Sequence, residues 1–142
     1  ISGDFPDIFL ARFSGSGELL WWTFFGGDSS EWVTTLFEDN EGHIWIAGGT
    51  TGQVPTSQNA VRPNYNNSGT SDGFIAKFSS EGNWLEGTLL GGSQGDYITS
   101  LRIDESGRIF VSGLTSSPEI ATDESFDDQL DTENAGFVAT LE

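Results

Sequence analysis

Asp72-Gly73-Phe74-Ile75-Ala76-Lys77-Phe78 is the stretch on which the fold turns, because the chain writes it three times. It stands as Asp7-Ile8-Phe9-Leu10-Ala11-Arg12-Phe13 at a shift of 65 residues, and as Ala135-Gly136-Phe137-Val138-Ala139-Thr140-Leu141 at a shift of 63. Working outward at the first shift, Gly26-Gly27 matches Gly91-Gly92, Trp32 matches Tyr97, and Leu36 matches Leu101. Asp39-Asn40-Glu41-Gly42-His43-Ile44-Trp45-Ile46-Ala47-Gly48 likewise matches Asp104-Glu105-Ser106-Gly107-Arg108-Ile109-Phe110-Val111-Ser112-Gly113. Matches this dense in one register describe two repeats and the start of a third.

Each repeat reads as β-structure. Phe9, Ala11 and Phe13 alternate with Ile8, Leu10 and Arg12, the two-residue period of a strand. Leu19-Leu20-Trp21-Trp22-Thr23-Phe24-Phe25 is apolar at nearly every position, which predicts a strand covered on both faces. Further strands are expected over 33–38, 43–48, 73–78, 84–90, 97–103, 108–113 and 136–141, and no stretch carries a helical stripe. The connections 14–17, 39–42, 79–82 and 105–107 are short and end in Gly, a left-handed residue closing a tight hairpin. Those at 26–31, 91–96, 50–71 and 115–134 are looser. Tight and loose connections alternate, so the tight hairpins gather at one end of the sheets and the loose loops at the other.

Four strands per period, apolar on both faces, is the pattern of a β-propeller blade, which must stack on neighbours to bury itself. The fold expected is all-β, a partial propeller of about two four-stranded antiparallel blades. The strand at 33–38 would be innermost and that at 84–90 outermost. Residues 1–31 would carry the outer strands of a first blade, 32–96 a complete repeat, and 97–142 an incomplete one. The motifs Asp-x-Phe-[Ile/Leu]-Ala-[Lys/Arg]-Phe, Gly-Gly and Asp-x-x-Gly-x-Ile-[aromatic]-[Ile/Val]-x-Gly resemble those of the SBBP (bladed beta-propeller) repeat family over essentially the whole chain. That resemblance implies a bacterial or archaeal secreted or cell-surface propeller, and it speaks for scaffold rather than activity. The third copy departs from it, with Ala135 in place of the leading Asp. Closing a ring takes four to eight blades. Further blades are therefore expected from a longer polypeptide or from homo-oligomeric copies. The start at Ile1, the missing Met and the cut through a blade favour the longer polypeptide.

Composition narrows the partners. Five basic against 22 acidic side chains give a formal net charge of −17, which repels nucleic-acid phosphates. No apolar run approaches the roughly 20 residues of a membrane span, so no membrane insertion is expected. The absence of Cys excludes disulfides and thiolate sites but leaves the redox compartment open. An acidic, Lys-poor surface fits a secreted or saline setting, so an extracellular or cell-surface location is expected.

Reactive groups are scarce. His43 is the only His, and Arg108 occupies its place in the next repeat, so it reads as a strand-edge residue rather than a general base. On the loose-loop side, Asp28, Glu31 and Asp96 lie in the short connections and are candidate binding residues together with Trp32 and Tyr97. Trp32, matched by Tyr97, falls where a loose loop meets an inner strand and is the candidate contact residue. The competing reading for both rings is core packing; Trp21, Trp22, Trp45 and Trp84 could line a sugar platform but read as packing between blades. Asp123, Asp127 and Asp128 belong to an acidic run from Glu119 to Glu133 that offers oxygens to Ca²⁺ without the spacing of a dedicated calcium loop. Solvated surface is the competing reading; no cofactor is expected beyond that calcium. Asn66-Asn67-Ser68 matches a glycosylation sequon to which no role is given.

Three functions follow. The first is a non-catalytic scaffold or adhesion module whose long loops meet protein or glycan at the cell surface. A second is a ligand-sensing periplasmic propeller, because Phe37-Glu38-Asp39-Asn40-Glu41-Gly42-His43-Ile44-Trp45-Ile46 is similar to repeats of two-component sensors. A propeller enzyme comes third, against which stand the lack of Arg clusters and of a repeated Trp docking pattern for a cofactor.

Overall fold

A computed structural model describes residues 7–66, 70–120 and 134–141. Among the described residues nine strands run in order: β1 (Ile8–Phe13), β2 (Leu19–Phe25), β3 (Glu31–Glu38), β4 (Ile44–Thr50), β5 (Asp72–Phe78), β6 (Trp84–Leu90), β7 (Asp96–Ile103), β8 (Ile109–Thr115) and β9 (Ala135–Leu141). They form three antiparallel sheets, β1-β2, β3-β4-β5-β6 and β7-β8-β9, in which chain neighbours are always sheet neighbours. The fold is thus an all-β partial propeller with one four-stranded sheet edged by β3, the expected inner strand, and β6.

The tight turns explain the register. Gly17, Gly42, Gly82 and Gly107 all have φ between 82° and 87°, the left-handed region that a side chain resists. In two of these turns an Asp completes the closure. Asp39 Oδ1 accepts the N–H groups of Glu41 and His43, and Asp104 Oδ1 accepts those of Ser106 and Arg108. Gly107 has open space where a Cβ would go, so only the backbone resists substitution. Gly107→Ala is expected to cost about 1 kcal/mol, and Gly107→Asn less, in urea unfolding.

Two apolar cores lie between the sheets. Ile8, Leu10 and Phe25 of the first sheet meet Ile44, Ile46, Phe74, Ala76, Phe78 and Leu89 of the second. The opposite face of the second sheet, with Trp45, Ala47 and Ile75, meets Ile98, Leu101 and Val111 of the third, flanked by Phe137, Ala139 and Leu141. Adjacent residues of one strand, such as Phe74 and Ile75, therefore point into different cores. β3 and β7 share a bulge, at Val33/Thr35 and Ile98/Ser100. The bulged Thr34 reaches across, its Oγ1 contacting the carbonyl oxygens of Ala47 and, in the next sheet, of Ile98.

The expectation that 19–25 is covered on both faces needs correction. Phe25 is buried and Trp21 packs against the core, but Leu20, Trp22 and Phe24 are exposed. β1-β2 has a sheet on one side only, so its other face is open among the described residues. Trp22 instead clusters with Phe9 and Phe24, with ring centroids 5.4–6.2 Å apart. The reading of all four strand tryptophans as packing between blades holds for Trp21 and Trp45, whereas Trp84 is also exposed.

The long connection between β4 and β5 acts as a strap over β6. Ser57 N–H donates to Gly87 O at 2.8 Å, and Leu89 N–H donates to Arg62 O at 3.1 Å. Ser57 Oγ accepts Gly87 N–H, so the outer edge of the blade is closed to further pairing along this stretch.

Candidate functional site

At the loose-loop end the first residue of each inner strand is a carboxylate turned inward. Glu31 Oε1 accepts the Thr50 hydroxyl at 2.9 Å and Oε2 accepts Gly27 N–H at 3.2 Å. Thr50 Oγ1 in turn accepts Gly52 N–H. The next repeat rebuilds this lock with a shorter side chain. Asp96 Oδ1 accepts the Thr115 hydroxyl, while Oδ2 accepts Gly92 N–H at 2.7 Å and the Ser117 hydroxyl at 2.8 Å. Thr115 Oγ1 accepts Ser117 N–H. Thus Glu31 and Asp96 are buried and fasten the Gly-Gly connection to the end of the second strand. Burial raises the Glu31 pKa against the hydrogen bonds from Thr50 and Gly27, and the charges of Asp7 and Asp28 push it the same way.

The first Gly of each pair is required by a second carboxylate. A Cβ on Gly91 would lie 2.6 Å from Asp72 Oδ1 and 2.9 Å from Asp96 Oδ2. On Gly26 it would lie 2.4 Å from Asp7 Oδ1 and 2.5 Å from Glu31 Oε2. Each repeat therefore holds two acids around one glycine. Asp72 has no solvent exposure, and neither of its oxygens has a well-aligned hydrogen-bond donor among the described residues. Desolvation raises its pKa most and Asp96 adds to that. Arg62, with Nη1 3.9 Å away, opposes it, as does a glancing N–H of Asn66.

Trp32 and Tyr97 follow these carboxylates and point the other way, as strand alternation requires. Lying on adjacent inner strands, their rings meet edge-on with centroids 6.4 Å apart. Trp32 stays 36% exposed, and its indole lies so close over Gly49 that a Cβ there would fall 2.2 Å from Cζ2. The structure thus brings Trp32 and Tyr97 together, and places Glu31 and Asp96 in separate copies of the lock. Asp28 is exposed and lines a hollow of about 410 Å³ with Ser29, Thr51, Gly52, Gln53 and Tyr65. A second hollow of about 400 Å³ lies at the next repeat, lined by Arg62, Asn66, Gly91, Gly92, Ser93 and Glu119. One scaffold position thus carries two different linings.

Arg62, Asp72 and Tyr65 were not legible as site residues. Arg62 Nη1 donates to the carbonyls of Gly91 and Gly92, and the Tyr65 hydroxyl donates to Thr70 O. The one available signal was the acid shared by Asp7 and Asp72 at the start of an otherwise apolar strand.

His43 lies at the opposite, tight-hairpin end, with Nδ1 3.1 Å from Asp39 Oδ2. Arg108 at the matching place holds Asp104 Oδ2 at 2.8 Å, so the two residues share a turn-closing role. The Asp39 pKa is lowered, because bonds from Trp45 and His43 outweigh its desolvation. Asp123, Asp127 and Asp128, like Asn67 and Ser68 of the sequon, lie outside the described residues. Among the described residues no group of three or more His, Asp or Glu side chains is arranged to hold a metal ion.

Residues 87–118 match the family described as Beta-propeller repeat, a span from β6 through β8. Residues 27–50, which cover β3, its tight hairpin and β4, match the family described as Two component regulator propeller. The chain is also 25% identical over 111 residues, 78% of its length, to the regulatory protein FlaEY of Caulobacter vibrioides, and spans only 12% of that relative. Repeat matches in two neighbouring blades, on sheets that stack in blade order, make this a chain of β-propeller repeats.

Proposed function

We propose that the chain is a non-catalytic recognition module, a rigid set of blades that meets a protein or glycan at its loose-loop end. The observation that carries this reading is the Trp32–Tyr97 pair, two rings from adjacent sheets left partly open at the end of the strands whose loops also line two hollows of unlike character. Aromatic rings offer large contact area at low entropic cost and suit both sugar faces and protein partners. The buried carboxylate locks support it by holding the loops, so little ordering free energy is spent on binding. In this reading Asp28 and Glu119 at the rims set charge preference, and the setting is extracellular or at the cell surface.

The test is a glycan array and a panel of surface proteins probed with the parent chain, Trp32→Ala and Tyr97→Ala. Binding should fall at least tenfold in either variant, while the melting temperature moves by only a few degrees. Undiminished binding by Trp32→Ala overturns the proposal, and so does loss of folding, which would assign the ring to the core.

A sensor propeller is the second reading. It is favoured by the match of residues 27–50 to a regulator-type propeller repeat and by the relative's name, which calls that protein regulatory. Tight binding of a small sugar-like ligand, with no protein partner, would favour it.

A further inference from the structure

We infer that Arg62 is a two-position latch worked by Asp72. Its guanidinium holds the Gly91 and Gly92 carbonyls while the Asp72 carboxyl is neutral. Once that carboxyl ionises the guanidinium turns onto it, releasing the link between the second and third sheets. The structure shows the first position. Arg62 Nη1 donates to Gly91 O and, at 3.2 Å, to Gly92 O. These two carbonyls belong to the connection between β6 and β7. The same nitrogen stands 3.9 Å from Asp72 Oδ1, on a side chain that is 0% exposed and has no well-aligned donor among the described residues.

The backbone of Arg62 is fixed, so the choice lies with its side chain. Arg62 N–H donates to Thr88 Oγ1 at 3.2 Å, and Arg62 O accepts Leu89 N–H at 3.1 Å, both on β6. From that anchor Nη1 needs a shift of about 1 Å to reach hydrogen-bond distance of Asp72 Oδ1. Gly91 keeps the two sets of oxygens side by side, since a Cβ there would lie 2.6 Å from Asp72 Oδ1. While Asp72 is neutral, the carbonyls are the better acceptors. A buried ionised carboxylate without a donor is costly, and a bond to it is roughly twice as strong as one to a neutral carbonyl. Ionisation therefore supplies the pull.

Few other charges bear on the choice. Asp72 faces Arg62 and Tyr65 from the strap and Asp96 from β7, and Thr50, its partner on β4, is uncharged. Burial favours the neutral form of Asp72 most, Asp96 adds to that and Arg62 opposes it, so the carboxyl ionises above pH 3.8. Tyr65 stays neutral, because burial and the charge of Asp72 raise its pKa. Glu119 also acts on Arg62, and bonds with Ser93 keep its own titration on the acid side of 4.5. The hollow of about 400 Å³ lined by Arg62, Gly91, Gly92 and Glu119 thus gains free carbonyl oxygens and loses a guanidinium as Asp72 ionises. An effect on a bound ligand rests on the recognition reading above; the latch itself does not.

NMR of the whole chain from about pH 3 to 8 tests the latch. The signals followed are the Asp72 carboxyl carbon, the Arg62 Nε–H, and the amides of Gly92 and Ser93, whose peptide groups carry the two carbonyls. All should move with one midpoint above 3.8. Asp72→Asn should abolish the step in the Arg62 and amide signals and leave them at their low-pH positions. Arg62→Gln should flatten the amide steps and raise the Asp72 midpoint by about one pH unit or more, since it removes the pull on the ionised form. Arg62→Met serves in its place should that variant unfold. Glu119→Gln should leave the common step intact. An Asp72 with no midpoint in this range overturns the inference, and so does one that titrates while Arg62 stays still. A step that survives Asp72→Asn overturns it as well, as do amide steps and an Asp72 midpoint indifferent to Arg62→Gln. No ligand enters these measurements, so their failure leaves the recognition reading standing.

Discussion

Asp96→Ala should unfold at markedly lower urea than the parent, with a loss of about 3 kcal/mol. The size follows from what the carboxylate holds. Asp96 has no solvent exposure and accepts the Thr115 hydroxyl, the Ser117 hydroxyl and Gly92 N–H. A hydrogen bond to a charged acceptor contributes about 1.5–3 kcal/mol, and a buried donor left unmatched costs about 1–3 kcal/mol. Simple addition would overshoot, for two reasons visible in the site. Thr115 Oγ1 has the Ser117 carbonyl 3.4 Å away as a poorer substitute, and removing Asp96 also relieves its repulsion of Asp72. Thr115→Val removes one of the three donors and should cost about a third as much. A loss below about 1 kcal/mol for Asp96→Ala would show that the lock does not hold the Gly-Gly connection.

That lock marks the limit of what sequence could reveal here. The blade was legible because a period of 65 residues aligns apolar positions that only stacked sheets can bury, and Phe74 and Ile75 do point into separate cores. Turn glycines were legible because a left-handed residue has few alternatives, and all four have positive φ. Strand ends moved by one or two residues: β3 begins at Glu31 and β4 runs to Thr50, because the lock itself extends the ladder by pairing those two. The carboxylates themselves were seen only as loop acids. Charge gives no sign of direction, and Glu31 and Asp96 turn inward because their strands start one residue earlier than the apolar pattern does. Trp32 and Tyr97 were legible as repeat equivalents, and they meet because equivalent residues on adjacent strands are neighbours. Arg62 was out of reach, since a 22-residue connection has no period by which to place one side chain.

Asp72→Asn is expected to stabilise the chain at neutral pH by about 1–3 kcal/mol, the range for relieving a buried polar group that lacks well-aligned hydrogen bonds. Desolvation, the largest influence on Asp72, favours the protonated form, and Asp96 adds to it. Arg62 pulls the other way, but its Nη1 stands 3.9 Å from Oδ1 and already donates to the Gly91 and Gly92 carbonyls. Desolvation therefore wins, and the folded-state pKa lies above the ordinary 3.8. The sign follows by linkage: the protonated carboxyl favours folding, so its contribution is fully present below the unfolded pKa and is lost as pH rises through the folded pKa. Asn fixes a neutral side chain of the same shape. Parent and variant should accordingly match near pH 3 and separate as pH rises, with a plateau above the folded pKa of Asp72. Asp39 acts in the opposite sense in both proteins, because its lowered pKa gives stability that is present above 3.8 and lost as pH falls. The difference between the two urea curves cancels that shared background and isolates Asp72. Should Asp72→Asn prove less stable than the parent at pH 7, the Arg62–Asp72 attraction outweighs burial, and Arg62→Gln in both backgrounds would show the coupling directly.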